Sequence, residues 1–193
     1  MSTTYPIRNE EKLKRFKDYF LTEKPIYRNY AMIILGLNTA FRIGDLLNLK
    51  WKDVYNKKTA HMRAHICVTE QKTGKERIVA VNAAVAEVLE GLRKNARDMD
   101  EEQYLFPSIK KPGIPLSRSQ AFRIIREAAE YAGIEERISC HSLRKTFGYQ
   151  AWKQGVQPAV LMDIYNHSSY RVTRRYLGIE QEDRDRVYLN LHV

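Results

Sequence analysis

Residues 61–81 read His-Met-Arg-Ala-His-Ile-Cys-Val-Thr-Glu-Gln-Lys-Thr-Gly-Lys-Glu-Arg-Ile-Val-Ala-Val, and this stretch separates an α+β chain from an all-helical one. Met62, Ala64, Ile66 and Val68 alternate with His61, Arg63, His65 and Cys67, the period of two that marks a strand with one covered face. Lys72-Thr73-Gly74-Lys75 supplies a turn, and Arg77 to Val81 returns as a second strand, so a β-hairpin with a basic tip is expected. Around it, helical spacing takes over. Leu13, Phe16 and Phe20 form one apolar stripe, Pro25 marks a helix start, and Tyr27 to Leu37 is apolar nearly all round, the pattern of a buried central helix. A short helix is expected from about Ile43 to Leu49, before Trp51. Ala84, Val85, Val88, Leu89 and Leu92 share a helical face, and the three prolines and one glycine between Phe106 and Pro115 mark a loop. Ser117 with Gln120 reads as a capping box ahead of Phe122, Ile125 and Ala129. After Gly133 helices are expected over about 141–154, 158–166, 169–177 and 181–190. The fold class is therefore mainly α with a small antiparallel β-sheet, α+β.

Length and composition set outer bounds. The 193 residues fit one domain with a sizeable core, and 44% hydrophobic with 29% charged residues is the balance of an ordinary globular chain. No apolar run reaches the roughly 18–20 residues of a membrane span, and the charged, aromatic start is unlike a secretory signal. Cys67 and Cys140 stand far apart without CxxC spacing, which points to reduced thiols in a cytoplasmic protein rather than to a disulfide framework. The formal charge of +10 favours a polyanionic partner, with nucleic acid leading.

Phosphodiester chemistry needs cations on the non-bridging oxygens, a nucleophile, and an acid for the departing oxygen. Three segments supply these types: Thr39-Ala40-Phe41-Arg42-Ile43-Gly44-Asp45, His141-Ser142-Leu143-Arg144, and His167 followed by Tyr176. His141 and Arg144 share one face at a helix start, where free N–H groups suit a phosphate. Arg42 can hold a phosphate bidentately, with Asp45 to orient it; alone, the two read more readily as a local helical ion pair. On one unbroken helix, His167 and Tyr176 would face opposite ways. Asn166, Ser168 and Ser169 offer a break and a new N-cap, so Tyr176 can fold back towards His167. Lys72 at the hairpin tip is a candidate acid for the leaving alkoxide, and Lys75 competes with it. Lys75 and Lys145 are the further cations expected to contact DNA. No clustered carboxylates or metal-spaced ligands favour a metal nuclease.

In their order and joint spacing these segments resemble the catalytic domain of the tyrosine recombinases, the phage-integrase family, over about residues 8–180. The family pattern is an Arg at a helix start, a hairpin Lys, His-x-x-Arg, a His or Trp, and a Tyr nine residues later; here stand Arg42, Lys72, His141 with Arg144, His167 and Tyr176. Asp45 matches the family's acidic residue. The resemblance implies that Arg42 and Arg144 clamp the scissile phosphate and that Tyr176 attacks it to form a 3′-phosphotyrosyl link. Lys72 would protonate the 5′ oxygen, His141 and His167 would assist, and Asp45 would support Arg42 and the histidines. It implies no metal or cofactor, double-stranded DNA as partner, and a homo-oligomer, a tetramer, on DNA. The family's frequent glycine is Ala40 here, its frequent second His is Lys145, and Tyr165-Asn166 replaces its frequent Leu-Gly. The chain leaves no room for the usual N-terminal core-binding domain, which fits either an excised catalytic domain or a compact recombinase like the fimbrial phase-variation enzymes. Alternatives on the same fold are a type IB topoisomerase-like relaxing activity and a catalytically silent DNA-binding regulator. The tail alternates Val187, Leu189, Leu191 and Val193, packing either onto its own domain or onto a neighbour.

Overall fold

Helix α2 is apolar nearly all round because the rest of the chain is built against it. A computed structural model describes residues 4–96, 100–179 and 181–191. In chain order the elements are α1 (Glu10–Thr22), α2 (Tyr27–Thr39), α3 (Ile43–Leu47), α4 (Trp51–Val54), β1 (Tyr55–Asn56), β2 (His61–Met62), β3 (His65–Thr69), β4 (Glu76–Ala80), α5 (Ala83–Asn95), α6 (Arg118–Tyr131), α7 (Cys140–Lys153), α8 (Pro158–Tyr165), α9 (Tyr170–Leu177) and α10 (Gln181–Asn190). Ala31, Met32, Ile33 and Leu35 of α2 are fully buried, and α2 packs on α1, α5 and α7. Helix ends are set by local chemistry. The side chains of Asn9, Asn82, Ser117 and Ser139 each accept a backbone N–H in the first turn of α1, α5, α6 and α7.

The strand region departs from the sequence reading in one respect. The alternation from His61 to Val68 does not form one strand. Met62 pairs with Tyr55 in a short ribbon, β1–β2, and the chain resets at Arg63 and Ala64 before β3 pairs with β4, Ile66 opposite Val79. Alternation records which face is covered, not which partner covers it. The β3–β4 turn closes through Glu70 N–H to the Lys75 carbonyl at 2.9 Å and Gly74 N–H to the Glu70 carbonyl at 2.8 Å. Gly74 takes a φ of +67° there, a conformation that glycine adopts without a Cβ penalty.

A second, smaller cluster forms at the C-terminal end. Ala40, Leu161, Tyr165 and Leu177 are buried together, flanked by Phe147, Trp152, Ile164 and Tyr176. Its closeness depends on Gly148 of α7, where an added Cβ would lie 2.0 Å from the Tyr165 hydroxyl. That hydroxyl donates to the Arg144 carbonyl at 2.8 Å. Along α10, Val187, Tyr188 and Leu189 are exposed, as is Leu191 just beyond it, because a period of two cannot lie on one helical face. Val193 lies outside the described residues.

Candidate active site

At the end of α2, Ala40 adopts a left-handed conformation with φ +51°, which costs a non-glycine residue about 1–2 kcal/mol. Two arginine side chains hold it there. Arg77 donates to the Thr39 and Ala40 carbonyls at 2.9 and 3.0 Å, and Arg144 donates to the same Ala40 carbonyl. The last carbonyls of a helix lack intrahelical partners, and here guanidinium groups supply them. The reversed chain presents Arg42 as the N-cap residue of α3, partly exposed and ion-paired with Glu70.

Glu70, absent from the sequence reading, is 3% exposed. It pairs with Arg42, lies 3.6 Å from Arg77, and accepts the Thr73 hydroxyl at 2.8 Å. Burial alone would raise its pKa, but hydrogen bonds from Arg42 and Thr73 and the charges of Arg42 and Arg144 outweigh burial and hold it low. Its inward position was legible: Ile66, Val68 and Glu70 share the parity of the covered face of β3. Asp45, expected to support Arg42, lies in α3 three residues after it. It is buried, and its Oδ1 accepts the Gln71 backbone N–H at 3.0 Å. The carboxylate that meets Arg42 is therefore Glu70. Lys72 is exposed on the turn that these bonds hold, near enough for its charge to act on His141. Lys75 donates to Asn166 Oδ1 at 2.9 Å, bridging the hairpin to the turn after α8.

The first turn of α7 carries the next pair. Ser139 caps it by accepting the His141 N–H at 3.2 Å. Arg144, one turn on, is 2% exposed, donating to Tyr165 O at 3.0 Å as well as to Ala40. Its guanidinium carbon lies 4.7 Å from the Tyr165 ring centre. A guanidinium has five N–H donors, so donors remain for an anion. Lys145 is turned inward: it is buried and bonded to the Thr4 carbonyl, with its ammonium 5.5 Å from the Tyr176 ring centre. That placement differs from the DNA contact expected of it, because the residue after Arg144 falls on the face of α7 that packs inside the domain.

α8 stops at Tyr165 with Asn166 left-handed, φ +52°, and α9 restarts after Ser169. This break folds Tyr176 back over the site. Its hydroxyl hydrogen-bonds His141 Nε2, and its ring lies 4.9 Å from the His167 ring and 4.9 Å from Tyr165, centre to centre. His167 Nδ1 is 3.0 Å from the Thr173 hydroxyl. Burial, with the charges of Arg144, Lys145, Arg42 and Lys72, presses the His141 pKa down to about 4; burial, with Arg144 and Arg42, does the same for His167. Both rings are therefore neutral at neutral pH. Burial raises the Tyr176 pKa, opposed by Arg144 and Arg42. Arg42, His141, Arg144, His167 and Tyr176 thus fall into one cationic cluster with Glu70 and Arg77, and Lys72 stands at its edge. Among the described residues no group of three or more His, Cys, Asp or Glu side chains is placed to hold a metal. None of the helices is long and apolar enough to cross a membrane among the described residues.

A tyrosine beside a neutral imidazole, set among arginines on this mainly α fold, defines the class: a tyrosine recombinase. The chain belongs to the phage integrase family, which matches residues 9–182. It is 41% identical over 192 residues to the probable integrase/recombinase YoeC of Bacillus subtilis (strain 168), covering 97% of both chains. It is 30% identical over 152 residues to the type 1 fimbriae regulatory protein FimE of Escherichia coli (strain K12), covering 77% of this chain and 73% of FimE. Among solved structures, XerA recombinase matches with a TM-score of 0.77 at 25% identity, over 99% of this chain and 68% of that one. The XerH site-specific recombinase, in a post-cleavage complex with palindromic difH substrate, shares the fold with a TM-score of 0.75 at 18% identity. That match covers 98% of this chain and 54% of XerH.

Proposed function

We propose that this chain breaks and rejoins strands of double-stranded DNA at specific sites through a covalent Tyr176 intermediate, with no metal or nucleotide. The observation that carries the reading is the bond from the Tyr176 hydroxyl to His141 Nε2, an imidazole kept neutral by burial and by surrounding cations. Neutral Nε2 accepts the phenol proton as Tyr176 Oη bonds to the scissile phosphorus. Arg42 and Arg144 meet the charge that grows on the non-bridging oxygens. The P–O5′ bond breaks, its electron pair stays on O5′, and the Lys72 ammonium gives that oxygen a proton. A 3′-phosphotyrosyl link and a free 5′-hydroxyl result, and attack by the 5′-hydroxyl of another strand reverses the step. The link conserves the bond energy that rejoining needs.

The test is covalent trapping in EDTA. The protein is incubated with a pool of duplexes with randomised cores and staggered nicks, so that a short cleaved strand diffuses away. The expected result is a detergent-resistant adduct whose DNA, once sequenced, gives the site; Tyr176→Phe should yield none. An adduct with the Phe variant, or none from the wild-type chain, would overturn the reading. Relaxation of supercoiled plasmid without any site-specific junction product would point to a topoisomerase-like activity instead. Binding to the recovered duplex should weaken steeply with salt, as phosphate-tracking cations release counterions; a flat response would contradict it.

The reading extends to assembly on DNA. Val187, Tyr188, Leu189 and Leu191 offer exposed apolar surface at the C-terminal end, suited to a second copy of the chain. Light scattering with and without the recovered duplex should show a higher multimer with DNA, and a single protomer per duplex would count against it.

A further inference from the structure

One buried residue joins the turn that carries the proposed acid to an arginine that would grip the phosphate. The backbone of Glu70 closes the turn that carries Lys72, its N–H on Lys75 and its carbonyl accepting from Thr73 and Gly74. Its side chain takes the Thr73 hydroxyl, one residue beyond Lys72, and pairs with Arg42. Its other oxygen lies 3.6 Å from Arg77, which is fastened to the carbonyls of Thr39 and Ala40 just ahead of Arg42. Lys72 itself is exposed on an otherwise solvent-facing tip. Without such ties, a lysine on a two-strand ribbon would sample many positions relative to the phosphate.

We infer that Glu70 is a positioning residue for the general acid: one buried carboxylate ties the Lys72 turn to the phosphate-binding Arg42, so that protonation of the leaving oxygen depends on it. The inference rests on the proposed role of Lys72. Glu70 does not touch the nucleophile, and Arg42 keeps its own place at the phosphate as the N-cap residue of α3. Loss of Glu70 should therefore slow departure of O5′ far more than attack by Tyr176. Misplacing a reacting group by about 1 Å can cost about 10²-fold in rate, and that is the scale expected here.

A sulfur atom in the leaving position separates the two steps. In a duplex carrying a 5′-bridging phosphorothiolate at the scissile position, the P–S bond breaks and its electron pair stays on sulfur. A thiol ionises near about 8.5, so the thiolate departs without an acid. The probe is the duplex recovered by trapping, made with oxygen or with sulfur at that atom, and the readout is the single-turnover cleavage rate of the full chain. Glu70→Gln should be about 10²-fold slow on oxygen and within about 3-fold of wild type on sulfur, the pattern of Lys72→Ala. Arg42→Ala should be slow on both, because it acts on the phosphate. Thr73→Val removes only the turn half of the tie at an exposed position; it should be about 10-fold slow on oxygen alone, and it decides the matter if Glu70→Gln does not fold. Equal slowing of Glu70→Gln on oxygen and sulfur, while Lys72→Ala is rescued, overturns the role of Glu70. Failure of sulfur to rescue Lys72→Ala overturns Lys72 as the acid, and the role of Glu70 falls with it.

Discussion

The groups that would grip the phosphate and the group that would attack it stand on different supports. Arg42 and Glu70 emerge from elements anchored in the main core, where Phe16, Met32, Leu35, Ile66, Leu89, Phe106 and Ile125 are fully buried. Arg144 bridges the two regions: Leu143 beside it belongs to that core, while its own guanidinium reaches Ala40 and Tyr165. Tyr176 and His167 rest on α8 and α9, eight residues each, over the small cluster of Ala40, Leu161, Tyr165 and Leu177. A segment with little buried apolar surface opens at lower free energy than the core. Arg42 and Glu70 are therefore the better anchored part of the site, and Tyr176 sits on the part that opens at lower free energy.

The contrast can be broken by cutting one large side chain from each region. Leu35→Ala and Leu177→Ala both empty fully buried sites, and each should cost about 2–5 kcal/mol. Hydrogen exchange should show the Leu35 loss in the amides of α1, α2 and α5 together. The Leu177 loss should be confined to residues 158–177, with α2 still protected. Uniform loss of protection in both variants would show that the two regions unfold as one. Gly148→Ala sharpens the same point. Its Cβ would meet the Tyr165 hydroxyl at 2.0 Å, and overpacking of this kind costs about 1–3 kcal/mol. The expected outcome is α8–α9 displaced and adduct formation lost, while DNA binding and the main-core protection persist.

The smallest effect concerns pH. His141 has its pKa lowered from 6.5 to about 4 in the folded chain. Between those values the unfolded chain binds more protons than the folded one, so stability rises with pH through that window and falls as the solution is acidified. His141→Gln should flatten part of the slope of melting temperature between pH 4.5 and 6.5. An unchanged slope would mean that the ring's surroundings and the nearby cations do not lower its pKa as described.

Much of this was legible in the sequence, for identifiable reasons. The helices announced themselves because their apolar stripes and caps are local: Ser117 with Gln120 formed the expected capping box, and Asn166 with Ser169 marked the break that turns Tyr176 towards His167. What escaped was tertiary. The alternation from Met62 to Val68 could not say that Met62 pairs with Tyr55 and Ile66 with Val79. Spacing alone put Asp45 beside Arg42, but the carboxylate that pairs with Arg42 comes from 28 residues downstream. Lys145 was expected to contact DNA, whereas here it caps the Thr4 carbonyl from inside, a partner 141 residues away that no local pattern reveals.

The proposed chemistry depends on which of the twelve tyrosines is the nucleophile. The most direct measurement is to trap the DNA adduct, trim the DNA with nuclease, digest the protein with trypsin, and locate the nucleotide remnant by mass spectrometry. The remnant should sit on Tyr176, in the peptide that begins after Arg175. A remnant on Tyr165, Tyr170 or any other tyrosine would contradict the account.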